Sequence, residues 1–379
     1  MNRHAAVVFL FLGALLLARA SIAHSASSEK ERPKALAKEW EQVVSAAKKE
    51  GRVVVFGGPG PDRVRVFKEA FERAFPGIRV DYEGMHGNQA SMRIIAERRA
   101  GKYLVDIHLG AAGSLYRALK HQGGFQPVRP ILILPEVVDE SKWFEGKHWF
   151  MDPEENYIYT YSLAASTMVA VNTNLVRPRE ITSYQDLLNP KWRGRIVSSD
   201  IRSTGPGSGN ARYWYLDPKL GPEFFRKLYG EMEIALSRNV EQMVDWLAKG
   251  RFAILLFPTL NEIDRAKEVG LPVDLVPAQE MREGYPVTAG FNSILLMNPA
   301  PHPNAAKVYL NWLLSREGQT VFEKIVETPS LRMDTPKSGL RKFLIPKRGT
   351  NYMVVSYERY WDLHEKGIKP LLDNILGRR

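Results

Sequence analysis

Residues 52–56 (Arg52-Val53-Val54-Val55-Phe56), followed by the loop Gly57-Gly58-Pro59-Gly60-Pro61, decide how this chain is read. The β-branched, apolar run after Arg52 reads as a short strand buried on both faces. The glycine- and proline-rich loop ends it. Asp62 can then cap a helix on which Val64, Phe67, Phe71, Ala74 and Phe75 recur at helical spacing. Upstream, Leu36, Trp40, Val43, Val44 and Ala47 predict a helix that Gly51 ends. Downstream the rhythm repeats. Ile78, Val80 and Tyr82 alternate as a strand, and Asn88 can cap a helix carrying Met92, Ile95 and Ala96. Val105, Ile107 and Leu109 make a third strand before the loop Gly110-Ala111-Ala112-Gly113. Strand and helix in alternation predict a parallel sheet with right-handed crossovers. Ligands of such open sheets sit beyond the C-terminal ends of the strands. That edge is built here from loops 57–61, 84–88 and 110–113. Each contains glycine and opens a helix, so free N–H groups and positive dipole ends face the ligand side.

Beyond residue 125 the rhythm breaks into an irregular segment rich in Pro, Trp and Tyr. Tyr157, Tyr159 and Tyr161 alternate there and share one strand face, lining a cleft or packing in the core. Residues 166–172 and 196–199 read as strands, and a second alternation follows. Helices are expected over about 221–230 and around Val240–Leu247. Strands are expected at 234–236, 251–257 and 273–276. Residues 287–297 read as one more strand, followed by helices carrying Ala305 to Trp312 and Val321 to Ile325. A helix-like tail occupies 355–376.

The 379 residues suit two cores, and 44% hydrophobic with 25% charged residues is an ordinary globular composition. The N-terminus carries Arg3 and His4, an apolar run from Ala5 to Ala18, and small residues at Ala18-Arg19-Ala20 and Ser21-Ile22-Ala23. This three-part pattern predicts a secretory signal peptide over 1–23. The run is shorter than the roughly 20 residues a spanning helix needs. The chain has no cysteine, which excludes disulfides, thiol nucleophiles, cysteine-bound metal and a lipid anchor on an N-terminal cysteine. A periplasmic protein free in solution is expected. The net charge is +11, and +9 without residues 1–23. The Lys and Arg are dispersed among acids without a basic stripe, so no nucleic-acid partner is expected; a basic surface or an anionic ligand accounts for the surplus.

Enzyme motifs are scarce. The chain has no His-Glu-x-x-His, no phosphate-binding P-loop and no Gly-x-Ser-x-Gly elbow. Gly205-Pro206-Gly207-Ser208-Gly209 lacks the glycine spacing of a dinucleotide fingerprint; it is a flexible turn or a backbone-lined site for a polar group opening a helix over 210–215. Arg202 and Arg238 could clamp a carboxylate or phosphate bidentately, or lie on the surface.

Several segments together resemble the bacterial extracellular solute-binding proteins of ABC transporters. The chain is similar to the two-lobed type II periplasmic class, in the branch with ferric-iron, thiamine, phosphonate and sugar-phosphate binders. The resemblance is carried by Ala100-Gly101-Lys102-Tyr103-Leu104-Val105-Asp106-Ile107 and by Met168-Val169-Ala170-Val171-Asn172-Thr173-Asn174. It continues in Ser183-Tyr184-Gln185-Asp186-Leu187, in Pro190-Lys191-Trp192-Arg193-Gly194-Arg195-Ile196, and from Pro301-His302-Pro303-Asn304 to Gly318-Gln319.

The resemblance implies an α/β fold of two lobes, each a mostly parallel sheet flanked by helices and joined by crossing strands. Lobe one would be 30–170 plus 290–379, and lobe two 171–289. A small organic or oxyanionic solute would bind between them by hinge closure and pass to an inner-membrane ABC permease. A monomer without cofactor or metal is expected. Gly58, Gly60, Asn88, Ala111 and Ala112 would present backbone or amide groups from lobe one. Arg202, Ser203 and Thr204 would hold polar parts of the ligand from lobe two, Arg238 and Asn239 would start a helix aimed at the cleft, and Tyr161, Phe257 and Asn292 would stand near the crossing or cleft wall. Ferric binders of the branch carry paired tyrosines where this chain has Phe257-Pro258-Thr259, which argues against iron. A ferric-binding protein, a solute-binding partner of a membrane sensor, and an exported enzyme on the same scaffold are the alternatives.

Overall fold

The computed structural model describes residues 36–377 apart from 86, 204 and 205; the expected signal segment 1–23 lies outside them. Helix α1 spans 36–50. Strand β1 (Arg52–Gly57), helix α2 (Pro61–Ala74), β2 (Arg79–Gly84), α3 (Gly87–Arg99), β3 (Ile107–Gly110) and α4 (Gly113–Leu119) follow in the expected alternation. β1 pairs parallel with both β2 and β3. Short strands β4 (Phe125–Gln126), β5 (Trp149–Phe150) and β6 (Tyr159–Thr160), with the one-turn helix α5 (Pro135–Val138), make up the irregular segment.

The chain then crosses to a second sheet through β7 (Ala164–Ala165) and β8 (Val169–Asn172). This sheet adds β9 (Ile196–Ser199), β10 (Ala235–Ser237), β11 (Ile254–Leu256) and β12 (Val273–Leu275), in the order β10-β9-β11-β8-β12. Its helices are α6 (Pro206–Leu216), α7 (Gly221–Glu231), α8 (Val240–Ala248) and α9 (Leu260–Glu268). The return runs through β13 (Val287–Thr288) to β14 (Ser293–Met297), which joins the first sheet, and α10 (Pro303–Leu314) and α11 (Arg316–Val326) cover that sheet.

Both sheets are mixed rather than mostly parallel. β14 pairs antiparallel with β3, β4 and β6, and β8 pairs antiparallel with β11 and β12. A strand arriving from the other lobe enters its sheet from the far end, so it runs against strands that began there. Residues 287–297 form two strands instead of one, because 289–292 leave the crossing ladder before the chain enters the first sheet.

Period-two alternation builds the cores. In the second sheet Val169, Val171, Ile254 and Leu256 enter one buried cluster, while Ala170, Val197 and Leu255 enter the cluster on the opposite face. A sheet covered on both faces needs apolar residues at consecutive positions, which is why these strands read as unbroken apolar runs. Tyr159 and Tyr161 are fully buried in the first core, and Tyr157 is half-buried beside it.

The tail departs from expectation. Residues 361–376 form a nearly continuous helix with a π-helical segment at His364–Ile368, flanked by α12 (Trp361–Leu363) and α13 (Lys369–Leu376). Ile368 and Leu372 belong to the core of the second sheet, whereas Trp361 belongs to the first. The tail therefore does not pack on lobe one alone, as a 290–379 assignment to that lobe expects.

His108, in the middle of β3, is buried with its Nδ1 unpartnered. Burial pushes it down from 6.5 to about 4, against a small opposing effect of the Ala111 carbonyl. The unfolded chain therefore binds more protons between pH 6.5 and about 4. Stability falls as pH falls through that window, by up to about 3 kcal/mol from this residue. His108→Gln should flatten the decline in urea midpoint between those pH values; an unchanged slope would mean that His108 does not contribute.

Candidate functional site

Between the sheets lies a cavity of about 710 Å3. Lobe one contributes Gln89 from α3 and Ala111 to Ser114 from the β3–α4 loop. Lobe two contributes Ser208 to Asn210 and Arg212 from α6. The crossing strands add Thr288 to Phe291, and the tail adds Val355, Ser356 and Trp361. Two of the three strand-end loops of lobe one, those after β2 and β3, thus lead into it. Thr288 of β13 and the residues after it form the floor; β13 pairs antiparallel with β7, and a parallel bridge joins Val287 to Val354. Hydroxyls tie that floor together: Thr288 and Ser356 are 3.0 Å apart, and the Ala289 N–H donates to Ser356 Oγ at 3.0 Å.

Helix α6 begins at Pro206, within the glycine-bearing segment and about one turn earlier than expected. A Cβ on Gly207 would meet Ile201 Cγ2 at 3.0 Å, Phe257 Cβ at 3.2 Å and Ser199 Cβ at 3.3 Å. Only glycine lets the helix start rest so close to the ends of β9 and β11. Gly207→Ala should shift α6 and cost about 1–3 kcal/mol of stability by overpacking. Thermal unfolding measures this; an unchanged midpoint would show that the helix start has room to move. One turn on, Arg212 reaches the cavity from the same helix face as Ser208. Its Nη1 donates to the Val355 carbonyl at 2.9 Å, and its Nε is buried without a partner. Burial, reinforced by the positive charge of Arg117, pushes the guanidinium down to about 10.

The residues expected from the sequence scatter around this cavity. Ala111 and Ala112 line it. Gly58 and Gly60 stand at the same sheet edge but outside the lining; Gly58 is closed off by Arg63, whose Nη1 would lie 2.7 Å from an added Cβ. The side chain of Asn88 and the whole of Thr204 lie outside the described residues, while Gln89, beside Asn88, lines the cavity. Tyr161 is a core residue edge-on to Phe322 at 5.0 Å. Phe257 is buried at left-handed φ 56 against Trp214, 4.7 Å between centroids. Asn292 is buried, with its Oδ1 unpartnered, between the lining residues Phe291 and Ser293.

Arg202 and Arg238 are held elsewhere. Both pair with Asp200, at 2.9 and 3.1 Å, and line a separate cavity of about 560 Å3 beside β10. Ser203 turns the chain there, its N–H donating to the Asp200 carbonyl. Asn239 caps α8 by accepting from the Gln242 N–H at 2.9 Å. Sequence reasoning missed Arg212, Phe291 and Trp361. Arg212 was traceable as the residue four after Ser208 on the helix opened by the glycine loop. Trp361 lies in the tail, beyond the segments that carry the resemblance.

Among the described residues no cluster of His, Asp and Glu could hold a metal ion, and no helix is long and apolar enough to cross a membrane. A profile of the family described as bacterial extracellular solute-binding protein matches residues 58–320. The structure is similar to that of a Trichodesmium FutA (IdiA) in complex with iron and citrate, with TM-score 0.64, 22% identity, and coverage of 87% of this chain and 100% of that one. It is also similar to AfuA from Actinobacillus pleuropneumoniae with fructose 6-phosphate bound, with TM-score 0.61, 16% identity, and coverage of 87% and 99%. These likenesses give the fold, a two-lobed periplasmic-binding-protein architecture of type II. In sequence, the spermidine/putrescine-binding periplasmic protein of Escherichia coli is 24% identical over 208 residues, covering 52% of this chain and 54% of that protein. The chain thus matches about half the length of that relative. With the profile match spanning well over half its length, the chain belongs to the family of bacterial extracellular solute-binding proteins.

Proposed function

We propose that the protein captures a small solute in the cleft between its two sheets, closes over it by bending at the crossing strands, and hands it to an inner-membrane ABC permease. The observation that carries this reading is the composition of the cavity: one wall comes from each lobe and the floor from Thr288 to Phe291 of the crossing segment. A ligand touching both walls stabilises the closed arrangement, so capture and hinge motion are coupled. Export by a signal peptide over residues 1–23, a periplasmic location without a lipid anchor, and a monomeric state belong to the same reading. The lining offers hydroxyls, but no histidine or carboxylate stands among the described lining residues to activate one, which supports binding over catalysis. The site residues we assign are Gln89, Ala111, Ala112, Ser208, Asn210 and Arg212, with Phe291 and Trp361 as walls.

Small-angle scattering tests the reading. Adding a deproteinised cell extract to the protein freed of bound solute should reduce the radius of gyration, and the retained solute should be recovered chemically unchanged. An unaltered radius with bound solute would contradict hinge closure, and recovery of a converted solute would favour an enzyme.

A further inference from the structure

We propose that the solute is an organic anion whose carboxylate or phosph(on)ate head sits on Arg212 of α6 and whose apolar body lies against Phe291 and Trp361; this rests on the cleft being the solute site. The cavity wall carries a cation without a counterion among the described residues. Arg212 makes one hydrogen bond to a neutral carbonyl, its Nε is buried and unpartnered, and no carboxylate among the described residues forms an ion pair with it. The charge acting on it is Arg117, which is itself tied to Asp362 at 3.0 Å. Three other arginines that are at least partly buried have acids. Arg332 pairs with Asp334 and Glu136, Arg202 with Asp200, and Arg341 with Asp264. Arg63 also lacks a carboxylate, but it is surrounded by the phenols of Tyr82, Tyr161 and Tyr309 and stays outside the cavity lining.

Leaving a buried charge unpaired opposes folding, so the free protein holds Arg212 at a cost that a bound anion removes. The planar fork suits two oxygens of one carboxylate or phosphate. Ser208 and Gly209, in the first turn of α6, line the same cavity. The opposite wall narrows the class further. Phe291 is 49% exposed and faces the cavity from the crossing, and Trp361 closes the tail side. A bare inorganic anion leaves those rings wet and most of the 710 Å3 unfilled. A polyamine meets no Asp or Glu among the described lining residues, and a ferric ion meets no Tyr, His or carboxylate there.

Ion exchange on a deproteinised cell extract separates anionic, neutral and cationic pools. Each pool is added to the wild-type protein, to Arg212→Gln and to Arg212→Lys, and thermal unfolding is followed. The anionic pool should raise the wild-type midpoint. Arg212→Gln should need about 10- to 100-fold more of that pool for the same shift, while its unliganded midpoint stays equal or rises. Arg212→Lys, which keeps the charge and loses the fork, should fall between the two, and it decides the matter if the glutamine variant does not fold. Stabilisation by the neutral or cationic pool alone, or an Arg212→Gln response equal to wild type, would overturn the anion assignment and leave solute capture standing. No shift with any pool would overturn capture itself, and the assignment with it.

Discussion

Asp106→Ala should destabilise the protein by about 3–5 kcal/mol, because it leaves buried donors without their acceptor. Asp106 ends the segment before β3 and has no exposed surface. One oxygen accepts the His302 N–H at 2.6 Å. The other accepts the Val54 N–H of β1 at 2.8 Å and the His302 ring Nδ1 at 2.9 Å. The Arg52 Nε donates to His302 Nε2 at 3.0 Å, which leaves the ring proton on Nδ1, facing the carboxylate. A single side chain thus ties β1, β3 and the start of α10 together. Burial pushes the Asp106 carboxyl up, and the three donors partly offset that. Asp106→Asn keeps an acceptor and should recover part of the loss. Urea unfolding gives the number; a loss under about 1 kcal/mol for the alanine variant would mean that water replaces the carboxylate at little cost.

Trp361→Ala should act on stability and on binding together. The indole packs edge-on to Tyr116 with centroids 6.2 Å apart, lies under the Arg117 guanidinium at 5.4 Å, and donates Nε1–H to the Ser356 carbonyl at 3.0 Å. Truncating a buried aromatic of this size costs about 3–5 kcal/mol. Trp361 also walls the cavity, and it is the point at which the tail leaves lobe one for the core of lobe two. Solute affinity should therefore fall as well. Leu372→Ala, in the same tail but away from the cavity, provides the comparison: it should lower the melting midpoint without weakening the folded protein's affinity. Equal loss of affinity in both variants would show that Trp361 acts through general stability alone.

The lobes were legible because their signals are local. Apolar runs such as Arg52–Phe56, glycine-bearing loops and amphipathic helices each report one element, and alternation reports the sheet. The junction at Asp106 was visible only as two separate segments, Tyr103 to Ile107 and Pro301 to Asn304; a contact across 196 positions leaves no periodicity to read. The antiparallel entry of β8 and β14 was hidden for the same reason. The strand-end rule put Ala111 and Ala112 at the sheet edge, where they line the inter-sheet cavity, because the loop after β3 is fixed by the sheet. The rule did not separate arginines by partner. Arg202 and Arg238 satisfy Asp200, whereas Arg212 has no acid among the described residues, and that difference appears only in three dimensions. Tyr161 and Phe257 were drawn toward the cleft by sequence position, but their rings fill the cores on either side of it.

The crystal structure of the protein bound to the solute it takes from the anionic pool tests the central claim most directly. The account predicts density between the sheets, with the ligand's oxyanion on the Arg212 guanidinium and its body against Phe291 and Trp361. Density beside Asp200, Arg202 and Arg238 instead, with the inter-sheet cavity holding only water, would contradict it.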